Sequence, residues 1–256
     1  MRRETSRFAE STVFEGMTSI RAVIASAKSG VSDRRIEKVL IDRSKVKTKE
    51  KDISYLSAIA DEMTFYLEYC DDAEIEKITV GSSHGGIVAL CSERTIPPLD
   101  KQRIAKQGFY VMIEGIEDPY NFGYAIRTIY ASGADGVVLT PRNWMTASGV
   151  VCRSSAGASE LIPLFQNDAS EAINVFRSCG YKIVAAGIRD SVSAYDADLS
   201  KPIFLIIGGE KRGISRAIID RCDRIVKLDY GRKFKGSLSA ASAASILSYE
   251  VFRQNK

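Results

Sequence analysis

Five short runs in the second half of the chain, "FYVMIEGI", "GVVLT", "KIVAAGI", "IFLIIGG" and "RIVKLD", are apolar and rich in β-branched residues. Helical stretches separate them, near 122–132, 148–155, 168–178, 213–221 and 238–253. Runs this short and apolar read as strands buried on both faces. Their alternation with helices predicts a mainly parallel sheet covered by helices on both sides. In such sheets the ligand crevice lies beyond the carboxyl ends of the strands. The segments that follow strands are therefore where function is to be sought.

The upstream part is a second α/β body. "GMTSIRAVIASAKSG" has helical apolar spacing and stops at Gly30, a C-terminal cap. "RIEKVLID" reads as a strand, "EKDISYLSAIADEM" as a helix and "GGIVALC" as a strand. "SERTIPPLDKQR" follows, polar, aperiodic and with two adjacent prolines, and reads as the linker. The expected domains are residues 1–96 and 97–256.

Composition removes several chemistries. The five cysteines are scattered without metal-ligand spacing, and His84 is the single histidine. Zinc sites and Ser-His-Asp triads have no motif to build on. The +4 net charge, from 36 basic and 32 acidic residues among 256, permits a polyanionic partner without requiring one. No apolar run approaches a membrane span, and "MRRETSRFAE" lacks the apolar core of a signal peptide, so the cytoplasm is the expected compartment.

Three segments follow strands. In "EDPYNFGYAIRTIYASGADGVVL", a helix starting near Phe122 puts Phe122, Ala125, Ile126, Ile129 and Tyr130 on one stripe. Asn121 is then its N-cap, and Gly123 and Arg127 are neighbours on the flank. In "FLIIGGEKRGIS", paired glycines after a buried strand let a ligand touch bare backbone, and the spacing is neither a dinucleotide nor a phosphate-loop fingerprint. In "IVKLDYGRKFKGSLSAASAASILSYEVFRQ", a strand runs into a basic loop, and Ser237 is expected to cap a helix of small residues suited to close packing. A capping Asn, a glycine turn and a buried Ala-rich helix are the plain readings of each segment alone.

The order and spacing of the three segments resemble the SpoU (TrmH-type) class of SPOUT RNA methyltransferases. Asn121, Gly123 and Arg127 look like the family's Asn-x-Gly-x3-Arg motif, and Gly208, Glu210 and Gly213 like its Gly-x-Glu-x-x-Gly. Ser237, Leu238 and Ser239, with Tyr249 and Glu250, resemble the Ser-Leu-Asn and Tyr-Glu of its third motif. "RSSAGASELIPL" is similar to the family's Ser-Ala-Gly-Ala segment. The stretches "VFEGMTSIRAVIASAKSG" to "SSHGGIVAL" are similar to the small RNA-substrate-binding domain of many members.

The resemblance implies an α/β fold whose C-terminal SPOUT domain carries a parallel sheet and a deep trefoil knot, an arrangement ordinary folds avoid. It implies a homodimer that uses S-adenosyl-L-methionine to methylate a ribose 2′-hydroxyl in rRNA or tRNA. By the same resemblance Gly208, Gly209, Leu228, Tyr230, Leu238 and Ser239 hold the cofactor. Asn121, Arg127, Glu210 and Ser237 are the catalytic set. Asn121 and Glu210 position Arg127 or the ribose, and Ser237 anchors the third-motif loop. Lys211, Arg212, Arg232, Lys233 and Lys235 are candidate phosphate contacts. An arginine stays protonated in nearly every setting, so Arg127 is expected to grip a phosphate or stabilise a developing alkoxide rather than take a proton. His84 resembles a family turn and is expected to be structural, and Trp144 to pack rather than stack on a base.

Two departures stand out. The family's third-motif Asn is Ser239 here, and its Ile-Pro-Met strand end is Leu228, Asp229 and Tyr230 with a longer loop after it. They leave open a rival reading, an RNA-binding homologue with weak or no methyltransferase activity. A small-molecule α/β enzyme is a third reading, and it leaves the upstream domain unexplained.

Overall fold

The computed structural model describes residues 12–80, 84–140, 147–209 and 213–256. The chain forms two compact units, Met1–Thr95 with Asn143–Leu161, and Ile96–Arg142 with Ile162–Lys256.

The first unit opens with β1 (Val13–Glu15), α1 (Gly16–Ser29), β2 (Ile36–Asp42), α2 (Glu50–Met63), β3 (Tyr66–Cys70), α3 (Asp72–Ile78) and β4 (Ile87–Cys91). The sheet order is β1-β4-β2-β3, with only the β2–β3 pair parallel. Helix α1 ends as its sequence predicts. Gly30 takes the left-handed conformation at φ 72°, and its N–H donates to the Ala27 carbonyl. Phe14, Ile20, Val39, Ile41, Leu56 and Ile87 fill the core. His84 is buried ahead of β4, and its Nδ1 accepts from the Gly86 amide at 3.1 Å, the structural turn the sequence suggests.

The stretch that reads as a linker is tied down at its start. Arg94 is buried and donates to the Ser159 carbonyl at 2.7 Å and the Val31 carbonyl at 3.3 Å. The Thr95 amide donates to Asp33 at 2.8 Å. A guanidinium offers five donors and can be satisfied by carbonyls, which a polarity pattern does not reveal.

The second unit starts with β5 (Phe109–Glu114), α4 (Pro119–Ala131) and β6 (Gly136–Leu139). The next two helices, α5 (Ser148–Ser154) and α6 (Ala158–Leu161), belong to the first unit. Gly149 of α5 approaches β1 so closely that a Cβ there would sit 1.8 Å from the Val13 carbonyl oxygen. Arg153 of α5 pairs with Glu15, and Glu160 of α6 is buried in a 3.1 Å ion pair with Arg34. The sequence-based boundary at residue 96 falls beside the division after Thr95, and the excursion at 143–161 has no counterpart in it.

The chain returns through β7 (Leu164–Gln166), α7 (Ala169–Ser178), β8 (Lys182–Ala186), β9 (Val192–Ser193), β10 (Ile203–Gly208), α8 (Arg216–Ile219), β11 (Arg224–Lys227) and α9 (Ala240–Gln254). Seven strands lie in the order β7-β6-β5-β10-β8-β11-β9, every pair parallel. Tyr110, Met112, Phe204 and Ile206 face α7, where the Phe176 and Phe204 rings stack at 4.1 Å. On β10 the buried run is continuous because α9 also packs on that strand and on α4. Gly208 pairs with Glu114, so the two central strands end level with each other.

Candidate active site

Helix α4 begins three residues earlier than its apolar stripe suggests. Asp118 is the N-cap, its side chain accepting from the Asn121 amide at 2.8 Å, and Pro119 stands in the first turn. Proline there has no N–H to leave unsatisfied. Asn121 is therefore inside the first turn and is not the cap, a correction that follows from the Asp-Pro pair. Phe122, Ala125, Ile126 and Ile129 are buried as the spacing predicts, whereas Tyr130 is exposed. Arg127 is exposed on α4.

The paired glycines at the end of β10 are required by the fold itself. A Cβ on Gly208 would lie 2.6 Å from the Gly213 carbonyl carbon and the Ile214 nitrogen. One on Gly209 would lie 2.2 Å from the Gly115 carbonyl oxygen. The Gly213 amide donates to the Gly209 carbonyl at 3.0 Å. The bare sides of both glycines thus meet the protein's own backbone, and their remaining surface lines a cavity.

In the third segment Ser239, not Ser237, caps α9. Its hydroxyl accepts from the Ser242 amide at 3.1 Å, and α9 starts at Ala240. Between β11 and this cap the chain makes a loop whose ends are joined: the Leu238 amide donates to the Tyr230 hydroxyl at 3.2 Å. The Phe234 ring meets the Tyr230 ring edge-on at 5.8 Å between centroids.

A cavity of about 850 Å³ opens where the second and third segments meet, and no residue of the first segment, on α4, lines it. Gly208, Gly209, Leu228, Tyr230, Ser237 and Leu238 line it, and so does Lys235. Asn121, Arg127, Arg232, Lys233 and Ser239 do not. Glu210, Lys211, Arg212 and Trp144 lie outside the described residues. The wall also includes Phe234, Arg189, Arg216 and Lys227, which the motifs do not contain. Arg189 follows β8, so the rule that sites lie beyond strand ends points to it. Arg216 is paired with Asp220 at 2.8 Å and Lys227 with Asp229 at 3.7 Å. No described residue of the wall is a carboxylate, and with Arg216 and Lys227 paired to acids outside the wall, Arg189 and Lys235 carry its positive charge.

The cavity's size and wall suit a nucleoside carrying a polar tail. Ile207, Ile214, Leu228, Leu238 and Leu247 offer apolar surface for a base, and strand-end backbone offers hydrogen-bond partners. Among the described residues no cluster of metal-ligating side chains occurs.

Residues 108–249, more than half of the chain, match the family described as SpoU rRNA Methylase. The chain belongs to the SpoU rRNA Methylase family. The match runs from Gly108 beside β5 to Tyr249 in α9 and so takes in α4 and every residue of the cavity wall. A Staphylococcus aureus protein assigned to the TrmH family of tRNA/rRNA methyltransferases is 26% identical over 96% of this chain and 97% of its own. The fold matches an RNA 2′-O ribose methyltransferase at TM-score 0.77 and 21% identity, over 94% of this chain and 88% of that one. It also matches the AdoMet-bound rRNA methyltransferase of Sinorhizobium meliloti at TM-score 0.78 and 23% identity, over 94% and 87% of the two chains. As a SpoU-type RNA methyltransferase, the protein has its methylase match over most of the parallel-sheet unit and over α5 and α6 of the first unit, whose residues up to Thr95 lie outside it.

Proposed function

We propose that this SpoU-type protein methylates a ribose 2′-hydroxyl of RNA, with rRNA the favoured substrate and tRNA the alternative, in the cytoplasm. The observation that carries this reading is the convergence of Gly208 from the second segment with Leu228 and Leu238 from the two ends of the third-segment loop on one nucleoside-sized cavity. S-adenosyl-L-methionine supplies an activated methyl group when bound there. Gly208, Gly209, Leu228, Tyr230 and Leu238 hold it by backbone and apolar contact.

The chain's own part in the reaction is alignment and charge stabilisation. Arg127 acts as a cation that grips a phosphate or steadies the alkoxide as the hydroxyl loses its proton. Asn121 and Glu210 orient that arginine or the ribose. Arg232, Lys233 and Lys235, joined by Lys211 and Arg212, meet phosphates. The first unit carries the RNA to the site.

The assembly is a homodimer, and the α4–α9 pair supports it. Tyr124, 53% exposed, and Tyr249, 60% exposed, leave aromatic surface on the two packed helices, with Ile246 one turn away. A twofold contact uses one such patch on both copies. It brings the Arg127 of a second copy to a cavity that its own copy's arginine does not line. The family's trefoil knot in the second unit belongs to this same reading.

The test is incubation with unmethylated rRNA and tRNA transcripts and methyl-labelled cofactor, followed by mapping of the label. Label on one ribose supports the reading. Cofactor-independent RNA binding with no label on any transcript favours the RNA-binding homologue instead.

A further inference from the structure

We propose that Phe234 is a base-stacking platform at the mouth of the cavity, taking an unpaired base of the RNA next to the nucleotide under attack. The inference rests on the RNA reading above and adds a contact that the three motifs do not contain.

Phe234 sits midway along the Gly231–Ser237 loop, 58% exposed, and yet lines the cavity. Single exposed apolar residues are ordinary on protein surfaces. This one is held in place. Its side lies against Tyr230, with 5.8 Å between ring centroids and 63° between planes. Its tip lies over Gly236, where a Cβ would come within 2.6 Å of the ring Cζ. Tyr230 in turn is fixed by the bond from the Leu238 amide. The ring is therefore placed before any ligand arrives, so little side-chain entropy remains to be lost on binding.

The surrounding charge favours RNA over the cofactor as the stacking partner. Arg232 and Lys233 precede the ring and Lys235 follows it, all exposed and none in an ion pair with a carboxylate among the described residues. Arg189 lines the same cavity, as do Arg216 and Lys227, which are paired with Asp220 and Asp229. The cofactor has one carboxylate and so can engage only one or two of these cations, whereas a phosphate backbone can engage a track of them. Recognition of single-stranded RNA combines this cationic track with an aromatic face for a base. The cofactor's own base has apolar partners elsewhere on the wall, at Ile207, Leu228 and Leu247.

The experiment uses the full chain and a single-stranded oligoribonucleotide carrying one 2-aminopurine, whose fluorescence is quenched on stacking. Phe234→Leu is expected to weaken oligonucleotide binding by about 5- to 100-fold, the usual range for one base–aromatic stack, and to abolish the quench. Phe234→Trp is expected to retain both, and neither change to alter cofactor affinity by calorimetry. The salt slope of binding stays the same in Phe234→Leu, because no cation is removed. Wild-type binding and quenching in Phe234→Leu overturn the proposal. So does a parallel loss of cofactor affinity, which would make the ring a cover for the cofactor. Phe234-dependent quenching in a protein that transfers no methyl group counts against the activity reading and leaves this one standing.

Discussion

The Tyr230 hydroxyl accepts the Leu238 amide at 3.2 Å, so residues eight apart close the loop on the cavity rim. Both residues line the cavity, and the bond fixes the separation of two stretches of its wall. Tyr230→Phe removes the acceptor and keeps the ring. One hydrogen bond is worth about 1 kcal/mol net, so affinity for S-adenosylmethionine should fall by about 5-fold with little change in melting temperature. Calorimetry and thermal denaturation of the same samples check this. Tighter binding in Tyr230→Phe would instead mean that the tyrosine competes for the amide.

Ser239 occupies the position where the family pattern carries Asn, and the structure makes the exchange a conservative one. Its hydroxyl caps α9 by accepting the Ser242 amide, and it does not line the cavity. Asn and Ser are comparable N-caps. Ser239→Asn should leave unfolding free energy and cofactor affinity near wild type, while Ser239→Ala should cost about 1 kcal/mol of stability. Urea denaturation with unchanged m-value distinguishes the two. A large gain in cofactor affinity for Ser239→Asn would restore the argument that this protein is a weakened family member.

Gly208 and Gly209 leave no space for a methyl group. An added Cβ would come to 2.6 Å and 2.2 Å of its nearest neighbours, and both are backbone atoms, which have no rotamer to escape into. Gly208→Ala and Gly209→Ala should each cost upward of about 3 kcal/mol, as overpacking at a backbone crossing does. Denaturation midpoints check this. If either variant were as stable as wild type but unable to bind cofactor, its glycine would serve the ligand rather than the fold.

Much of this architecture is readable from residue order. Five of the seven strands of the parallel sheet, the span of α2 and the cap at Gly30 follow from apolar period and turn chemistry, whereas the short edge strands β7 and β9 do not. The start of α4 does not, because Asn121 and Asp118 are both good caps and only the proline between them decides. Choosing between Ser237 and Ser239 needs the backbone, since both precede the same small-residue helix. Arg94 is legible as polar but not as buried, because the Ser159 and Val31 carbonyls it donates to carry no sequence signal. The role of the Gly208–Gly209 pair is ambiguous for a related reason: a glycine reports a close approach without saying what approaches.

Acid should loosen the end of α9. Glu250 accepts from Arg253 Nε at 2.8 Å and Nη2 at 2.7 Å and from Gln254 at 2.8 Å. These bonds, Arg253's foremost, hold its carboxyl below the ordinary value of 4.5. A depressed folded pKa gives stability that is present above the unfolded value and lost as pH falls through the folded one. Gln254 also accepts from the Leu199 amide at 2.9 Å, so the helix end fastens the 197–201 segment. Denaturation midpoints should fall between about pH 5 and about pH 3, and fall less in Glu250→Gln. Equal acid sensitivity in the two proteins would assign the effect to other carboxylates.

Arg127 is exposed on α4 and absent from the wall of its own cavity, which fixes what its removal should do. Arg127→Ala should reduce turnover by about 100-fold or more, the usual effect of deleting a group that stabilises developing charge, and leave cofactor affinity intact. Arg127→Lys keeps the charge and loses the planar fork, so near-normal turnover there would argue against a bidentate grip on phosphate. Whether the arginine acts across a twofold contact can be read by complementation. Leu228→Arg fills the cavity and should be inactive alone, as should Arg127→Ala. On the proposed twofold arrangement, co-expression should give mixed dimers in which an intact cavity faces an intact arginine of the other copy, and activity should reappear. If the arginine served its own copy, every site in the mixture would lack one half and no activity would return. A protein that is monomeric by light scattering yet fully active would dispose of the shared site altogether.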